Sequence, residues 1–381
     1  MAFVGSLFKL GLVGLLLSWG ALFIRYNGKK LDAQVYSLPS PPEFTGALEP
    51  NNILAKKTSY ILKDKIDGPE SIVVEGDDIY TSLYDGRVVK INNRKIVKSV
   101  RFTKQKNCGN FESEARCGRP LGMRRLNSKE FVVADAYLGI YLVDFDTGSH
   151  RQVINAKVPI DGHAPQFLND VEVLSEDEIL FTDSSWNWDR RHFMNVVLSM
   201  AGDGRVFRHQ ISTKKTTVLA TGLNFANGIQ LLPDKSAVLV AECAMARIHK
   251  IDLSTGKMTT FAENLPGLPD NIRLAEDGSL WVGLAGIRRA GKPSLVDMIA
   301  PYDTVRQVLI DLVPGKFWLW FFPKVKPPHA LIVQLDLNGK IIGSLHDQEG
   351  TMISDVSQVT SSGRTLYLGS YHAPFIGRVD L

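Results

Sequence analysis

Glu176-Asp-Glu-Ile-Leu-Phe181 couples a tight polar turn to an apolar strand, and the same unit returns five more times along the chain. The other copies are Gly76-Asp-Asp-Ile-Tyr-Thr81, Ser128-Lys-Glu-Phe-Val-Val133, Asp234-Lys-Ser-Ala-Val-Leu-Val240, Glu276-Asp-Gly-Ser-Leu-Trp-Val282 and Ser362-Gly-Arg-Thr-Leu-Tyr-Leu368. Most lie roughly 40 to 60 residues apart, the length of a four-stranded propeller blade rather than of a sandwich hairpin. A blade alone cannot cover both faces of its sheet, so six copies predict an all-β, six-bladed β-propeller whose neighbours stack around an axis. The ring must close on itself, and the strand-like Tyr60-Ile-Leu62 ahead of the first copy is placed to do it.

The rhythm breaks once, over residues 288–326, before the last blade. Val305, Val308, Leu309 and Leu312 recur at i, i+3, i+4 and i+7, one face of a helix that Pro314-Gly315 ends. Phe317-Trp-Leu-Trp-Phe-Phe322 follows between Lys316 and Lys324. Such a run either caps the propeller or dips into a membrane interface, which makes Phe317, Trp318, Trp320 and Phe321 candidate membrane contacts.

Of 381 residues, 44% are hydrophobic and 22% charged, enough apolar surface for a large core and too little charge for a disordered chain. The 44 Lys and Arg against 40 Asp and Glu are scattered, which excludes a nucleic-acid footprint. Phe3 to Ile24 is apolar apart from Lys9 and a few small or hydroxyl residues, long enough as a helix to cross a hydrocarbon core of roughly 30 Å. Residues 1–26 therefore read as a membrane anchor; a cleaved signal peptide, with Ser18-Trp19-Gly20 at the processing site, is the alternative. Both readings export the rest, whereas Arg25, Lys29 and Lys30 just after the run favour the opposite orientation, and the chain contains no Asn-x-Ser/Thr acceptor. Residues 27–50, rich in Pro, Ser and Gly, read as a linker, and 51–381 as the propeller. Of the three cysteines, Cys243 reads as a small buried hydrophobe; Cys108 and Cys117 are compatible with a disulfide or with two free thiols.

Four segments place oxygen-bearing side chains where blade strands begin: Gly68-Pro-Glu70-Ser71, Phe167-Leu-Asn169-Asp170, Phe225-Ala-Asn227-Gly228 and Leu268-Pro-Asp270-Asn271. Each alone is ordinary turn chemistry. Read as turns of four successive blades, they would aim Glu70, Asn169, Asn227 and Asp270 into one central channel, an all-oxygen cage with two negative charges suited to a hard cation such as Ca²⁺.

Several stretches resemble the strictosidine-synthase-like family: Cys117-Gly-Arg-Pro-Leu-Gly-Met123, Phe181-Thr-Asp-Ser-Ser185, Phe225-Ala-Asn-Gly-Ile229, Val238-Leu-Val-Ala-Glu-Cys-Ala-Met-Ala-Arg-Ile248, Leu265-Pro-Gly-Leu-Pro-Asp-Asn-Ile-Arg273 and Leu366-Tyr-Leu-Gly-Ser-Tyr371. The resemblance runs from about residue 60 to the C-terminus. It implies a lumenal or extracellular propeller and a Cys108–Cys117 bridge. In related paraoxonases and gluconolactonases one central calcium is held by residues matching Glu70, Asn169, Asn227, Asp270 and, in the paraoxonase pattern, Asn271. Asp170 matches a ligand of a second, structural calcium, but its acidic partner is replaced by Ser71.

Strictosidine synthase itself uses a glutamate as acid and base, and the comparable place here holds Ser357, which argues against that condensation. The paraoxonase histidine pair is also replaced, by Leu121 and Asp135, leaving Asp135 as the candidate to position water; His163, His192 and His372 are substitutes. Two functions follow. One is a Ca²⁺-dependent arylesterase or lactonase acting on a small ester or lactone, the metal polarising the carbonyl. The other is a tethered, non-catalytic propeller, stiffened by the same metal, that binds protein or lipid.

Overall fold

The computed structural model describes residues 32–381, so the expected anchor at 1–26 and the first part of the expected linker lie outside the described residues. Among the described residues no helix is long and apolar enough to cross a membrane.

Six four-stranded antiparallel sheets form the propeller. The inner strands of the first five blades are Ile72–Glu75, Pro120–Arg125, Leu168–Ser175, Ala226–Leu231 and Gly267–Leu274; that of the sixth is Gln358–Ser362. Every recurring turn quoted above joins an inner strand to the second strand of its blade. Thr58–Ile61 pairs antiparallel with Ile376–Asp380, Tyr60 opposite Gly377, so the N-terminal strand closes the ring as the sequence predicts.

The second strands explain why the blades stack. Ala237–Glu242 is buried throughout, and its alternating side chains serve two cores. Val238 and Val240 pack with Leu180 and Val206 of the third blade, while Leu239 and Ala241 pack with Ile272 and Val282 of the fifth. Equivalent clusters lie at the other junctions, including Ile72 and Ile79 against Ile376 across the closure.

Among the described residues six α-helices decorate the ring: α1 (Ile53–Lys57), α2 (Glu114–Cys117), α3 (Phe193–Ser199), α4 (Leu295–Ile299), α5 (Asp303–Leu312) and α6 (Gly315–Val325). The segment 288–326 interrupts the fifth blade between its second and third strands, and α3 enters the third blade at the corresponding place. Sequence reading did not anticipate that second insertion. Trp318 of α6 is buried with Met194 and Leu198 of α3, Ile310 of α5 and Ala33, so the helices form one lid. This corrects the set of candidate membrane contacts: Phe317 and Trp320 are exposed, Phe321 is half-buried, and Trp318 belongs to the lid's interior.

The expected linker is also different where it is described. Asp32 and Ala33 donate their backbone N–H groups to Gln307 Oε1, Arg288 donates to the Pro39 carbonyl, and Phe44 and Leu48 join the core between blades four and five. Residues 32–50 are a strap laid on the lid and the blades.

A candidate metal site at the propeller axis

The inner strands of blades two to five each lose register at the same point. The breaks fall between Pro120 and Met123, Leu168 and Val171, Ala226 and Ile229, and Pro269 and Ile272. Each bulge therefore holds two residues: Leu121-Gly122, Asn169-Asp170, Asn227-Gly228 and Asp270-Asn271. A bulge re-aims side chains, and here the first residue of each pair lines one central cavity. The second turns into the packing between blades. A Cβ on Gly122 would meet Asp170 Oδ1 at 2.3 Å, and one on Gly228 would meet the Asp270 carbonyl at 2.5 Å, so both positions require glycine.

Glu70, just ahead of the first inner strand, completes the floor. The four oxygen-bearing residues thus come from blades one, three, four and five; blade two supplies Leu121, so they are not successive. The cavity is about 760 Å³ counted out to its open mouth, with walls that include Phe167, Phe225 and Leu268 and a roof of Met194, Val197 and Leu319 from the lid.

The floor is buried and under-satisfied. Glu70 Oε2, Asn227 Oδ1 and Asn271 Oδ1 have no hydrogen-bond partner among the described residues. Asn169 donates its amide to Ser184 Oγ at 3.0 Å, which leaves its carbonyl oxygen as the free end. Burial pushes the Glu70 carboxyl up, and Arg119, whose Nη2 stands 3.6 Å from Oε2, opposes that. Asp270 is raised well above the usual carboxylate range, first by burial and then by the charge of Glu70. Two buried carboxylates, Glu70 (which faces Arg119) and Asp270, plus the unpaired amide oxygen of Asn227, with no sulfur or imidazole among the four floor residues, fit a hard divalent cation. Glu70, Asn169, Asn227 and Asp270 would hold it. Asn271 is buried beside them but does not line the cavity.

The remaining candidates lie elsewhere. Asp135 caps a turn, its Oδ1 accepting from the N–H groups of Tyr137 and Leu138 at 3.0 Å, and it lies outside the cavity wall. Asp183 accepts similarly from Phe167, and Glu242 from Asn224, so a capping acid ends the second strand of three consecutive blades. Ser357 donates to the Glu70 carbonyl at 3.0 Å. His163 stacks on Trp186, His192 contacts Asp189, and His372 contacts Asp355 in a neighbouring pocket. Among the described residues no histidine lines the axial cavity, whereas Tyr371, not singled out in the sequence, does. Cys108 and Cys117 form the expected disulfide, and Cys243 is a buried free thiol on the cavity wall.

Residues 46–91 match the strictosidine synthase-like N-terminal family model, and residues 169–279 match the strictosidine synthase model. Adipocyte plasma membrane-associated protein of Gallus gallus is 39% identical over 92% of this chain and 84% of its own length; that of Salmo salar is 37% identical over 91% and 83%. The chain belongs to the strictosidine-synthase-like family. Solved structures with the same fold are more distant. A gluconolactonase from Xanthomonas campestris aligns over 93% of this chain and 99% of its own, with a TM-score of 0.52 at 15% identity. A calcium-binding protein, regucalcin, from Agrobacterium tumefaciens aligns over 90% and 96%, with a TM-score of 0.52 at 11% identity.

Within this family member the place expected for a second calcium is filled by protein. Asp170 receives Arg273 Nη1 at 2.8 Å, Arg273 Nη2 at 3.1 Å and the Ile229 N–H at 3.0 Å, and Arg124 stands 4.0 Å away. The guanidinium of Arg273 holds its carboxyl below the ordinary value against the opposing effect of burial. Asp170 is already neutralised and needs no ion.

Proposed function

We propose that this chain is a Ca²⁺-dependent hydrolase of small apolar esters or lactones, carried on a membrane-tethered propeller. The observation that supports it most is the under-satisfied floor of Glu70, Asn169, Asn227 and Asp270 at the bottom of an apolar cavity. A bound Ca²⁺ would supply Lewis-acid polarisation of a carbonyl and charge stabilisation for its developing oxyanion. The chain's own residues do the rest: Phe167, Phe225 and Leu268 hold the apolar part of a substrate, and Met194, Val197 and Leu319 limit water above it. Asp135 has no part in this reading, because it does not line the cavity.

The test is hydrolysis of phenyl acetate and a panel of aliphatic lactones by the purified full chain, with Ca²⁺ and with excess chelator. Activity lost on chelation and in Asp270→Asn supports the reading. A folded, Ca²⁺-binding but inert protein would establish instead the non-catalytic propeller, which the lack of a cavity histidine favours.

A further inference from the structure

α5 buries a charged and an amide side chain while it exposes apolar ones. Arg306 and Gln307 are 0% and 4% exposed and lie inward with Ile310, while Val305 and Leu312 are 47% and 56% exposed. The inward polar groups bond to the strap and to α3. Arg306 donates to the carbonyls of Leu198 and Gln34, both at 2.6 Å, and Gln307 Oε1 accepts the N–H groups of Asp32 and Ala33 at 2.8 and 3.0 Å. Those bonds tie strap, α3 and α5 together, and they leave Val305 and Leu312, the two ends of the apolar stripe, outside, with Val308 and Leu309 half-buried between them.

The flanking elements extend the stripe. Met298 at the end of α4, Tyr302 at the start of α5, and Phe317 and Trp320 of α6 are all exposed, so six of the molecule's exposed large hydrophobic side chains fall within 23 residues of sequence. Phe317 and Trp320 rings are 5.7 Å apart, and Lys324 Nζ lies 3.5 Å over the Trp320 ring. Of the seven basic residues of segment 288–326, Lys292, Lys316 and Lys324 are exposed, whereas Arg288 and Arg306 are buried.

We propose that this outer face of the lid docks on a phospholipid surface bearing anionic headgroups. The chain itself selects that occupant. The apolar run Phe3 to Ile24 and the basic Arg25, Lys29 and Lys30 lead directly into Asp32 and Ala33, and Ala33 sits in the same cluster as Trp318 and Ile310. Any bilayer that holds the run is therefore brought to the edge of α5 by a connection of a few residues. Exposed Trp and Phe beside Lys is the composition of an interfacial surface, apolar rings at the acyl boundary and ammonium groups among the headgroups. Leu319 of α6, in the roof of the axial cavity, is on the same helix as Trp320, so docking sets the lid that covers the cavity at the membrane. The inference does not depend on what reaction, if any, the cavity performs.

The test uses the full chain reconstituted in phosphatidylcholine–phosphatidylserine vesicles. A nitroxide is placed at Val305→Cys, Leu312→Cys or Trp320→Cys, and at Leu337→Cys, an exposed turn of the fifth blade outside the lid. Native Cys243 is buried and the other two cysteines are bonded. Relaxation by lipid-soluble oxygen is compared with relaxation by a water-soluble nickel chelate. The expected result is an oxygen-to-nickel ratio several-fold higher at the three lid positions than at Leu337. Equal ratios at all four would overturn the proposal, since the lid would then stand in water. Protection of the lid labels from both reagents would overturn it too, because a protein or a second copy would be the occupant. Val305→Cys changes one exposed aliphatic side chain, so the comparison survives even if the tryptophan variant fails to fold.

Discussion

Replacing Asp270 by Asn keeps the side chain's shape and removes one of the two buried carboxylate charges at the axis, and the structure predicts opposite effects with and without metal. In the metal-free protein Asp270 is raised well above its ordinary value by burial and by Glu70, so folding at neutral pH must either protonate it or bury its charge beside another. Asn relieves that conflict, and the metal-free variant should melt higher than the wild type. With Ca²⁺ the order reverses. Three buried oxygens, Glu70 Oε2, Asn227 Oδ1 and Asn271 Oδ1, lack partners, and each unsatisfied group costs about 1–3 kcal/mol, so an ion that engages even two of them relieves several kcal/mol. Mass action gives a comparable figure, about 2.7 kcal/mol at a ligand concentration one hundred times Kd. For a domain of this size that is a rise in melting temperature of roughly 5 °C. Differential scanning calorimetry of both proteins in EDTA and in millimolar Ca²⁺ should show the full rise in the wild type and less than half of it in Asp270→Asn. If the variant melts lower in EDTA and keeps the whole Ca²⁺ shift, Asp270 is not a ligand and the unpaired oxygens belong to buried water.

Arg273→Met strips Asp170 of both its guanidinium bonds and should cost about 3–5 kcal/mol in urea unfolding. Burial pushes Asp135 up to about 6 and Asp183 up to about 7, so between pH 4 and 7 the folded chain holds protons that the unfolded chain has released. Their contribution is therefore greatest below pH 4 and is lost as pH rises through 6 and 7; Asp135→Asn should flatten the fall in metal-free stability between about pH 4 and 6, measured by denaturant titration. Cys108→Ser opens a short loop and should cost about 2–3 kcal/mol. That loop carries Glu112, paired with Lys316 of α6, so hydrogen exchange in α6 should quicken in the same variant.

The propeller was legible because its signal is redundant. Six polar turns precede six apolar strands, and a second strand such as Ala237–Glu242 must be apolar up to its terminal Glu242 when both its faces meet a neighbouring blade. The oxygen ligands were legible for a different reason: Asn and Asp directly after Phe-Ala, Phe-Leu or Leu-Pro repeat at blade spacing. Their blade assignment was not. The equivalent bulge residue of the second blade is Leu121, which no search for ligands can see, and only register reveals it as part of the same ring. Arg273, which neutralises Asp170, left one signal, an arginine inside the buried inner strand three residues after Asp270.

α5 shows where pattern reading fails by its own logic. Val305, Val308, Leu309 and Leu312 do lie on one helical face, and the hydrophobic effect on an isolated element would bury it. What decides orientation is the partner. The strap arrives with backbone N–H groups of Asp32 and Ala33 and the carbonyl of Gln34 to satisfy, and α3 ends on the Leu198 carbonyl; a buried backbone polar group without a partner costs more than an exposed valine. Arg306 and Gln307 meet that demand and share the interior with Ile310, while Val305 and Leu312 stay outside. Periodicity fixes which residues share a face; which of them turn in or out depends on what lies against them, and apolar side chains turned out beside buried polar ones are information about the molecule's surroundings.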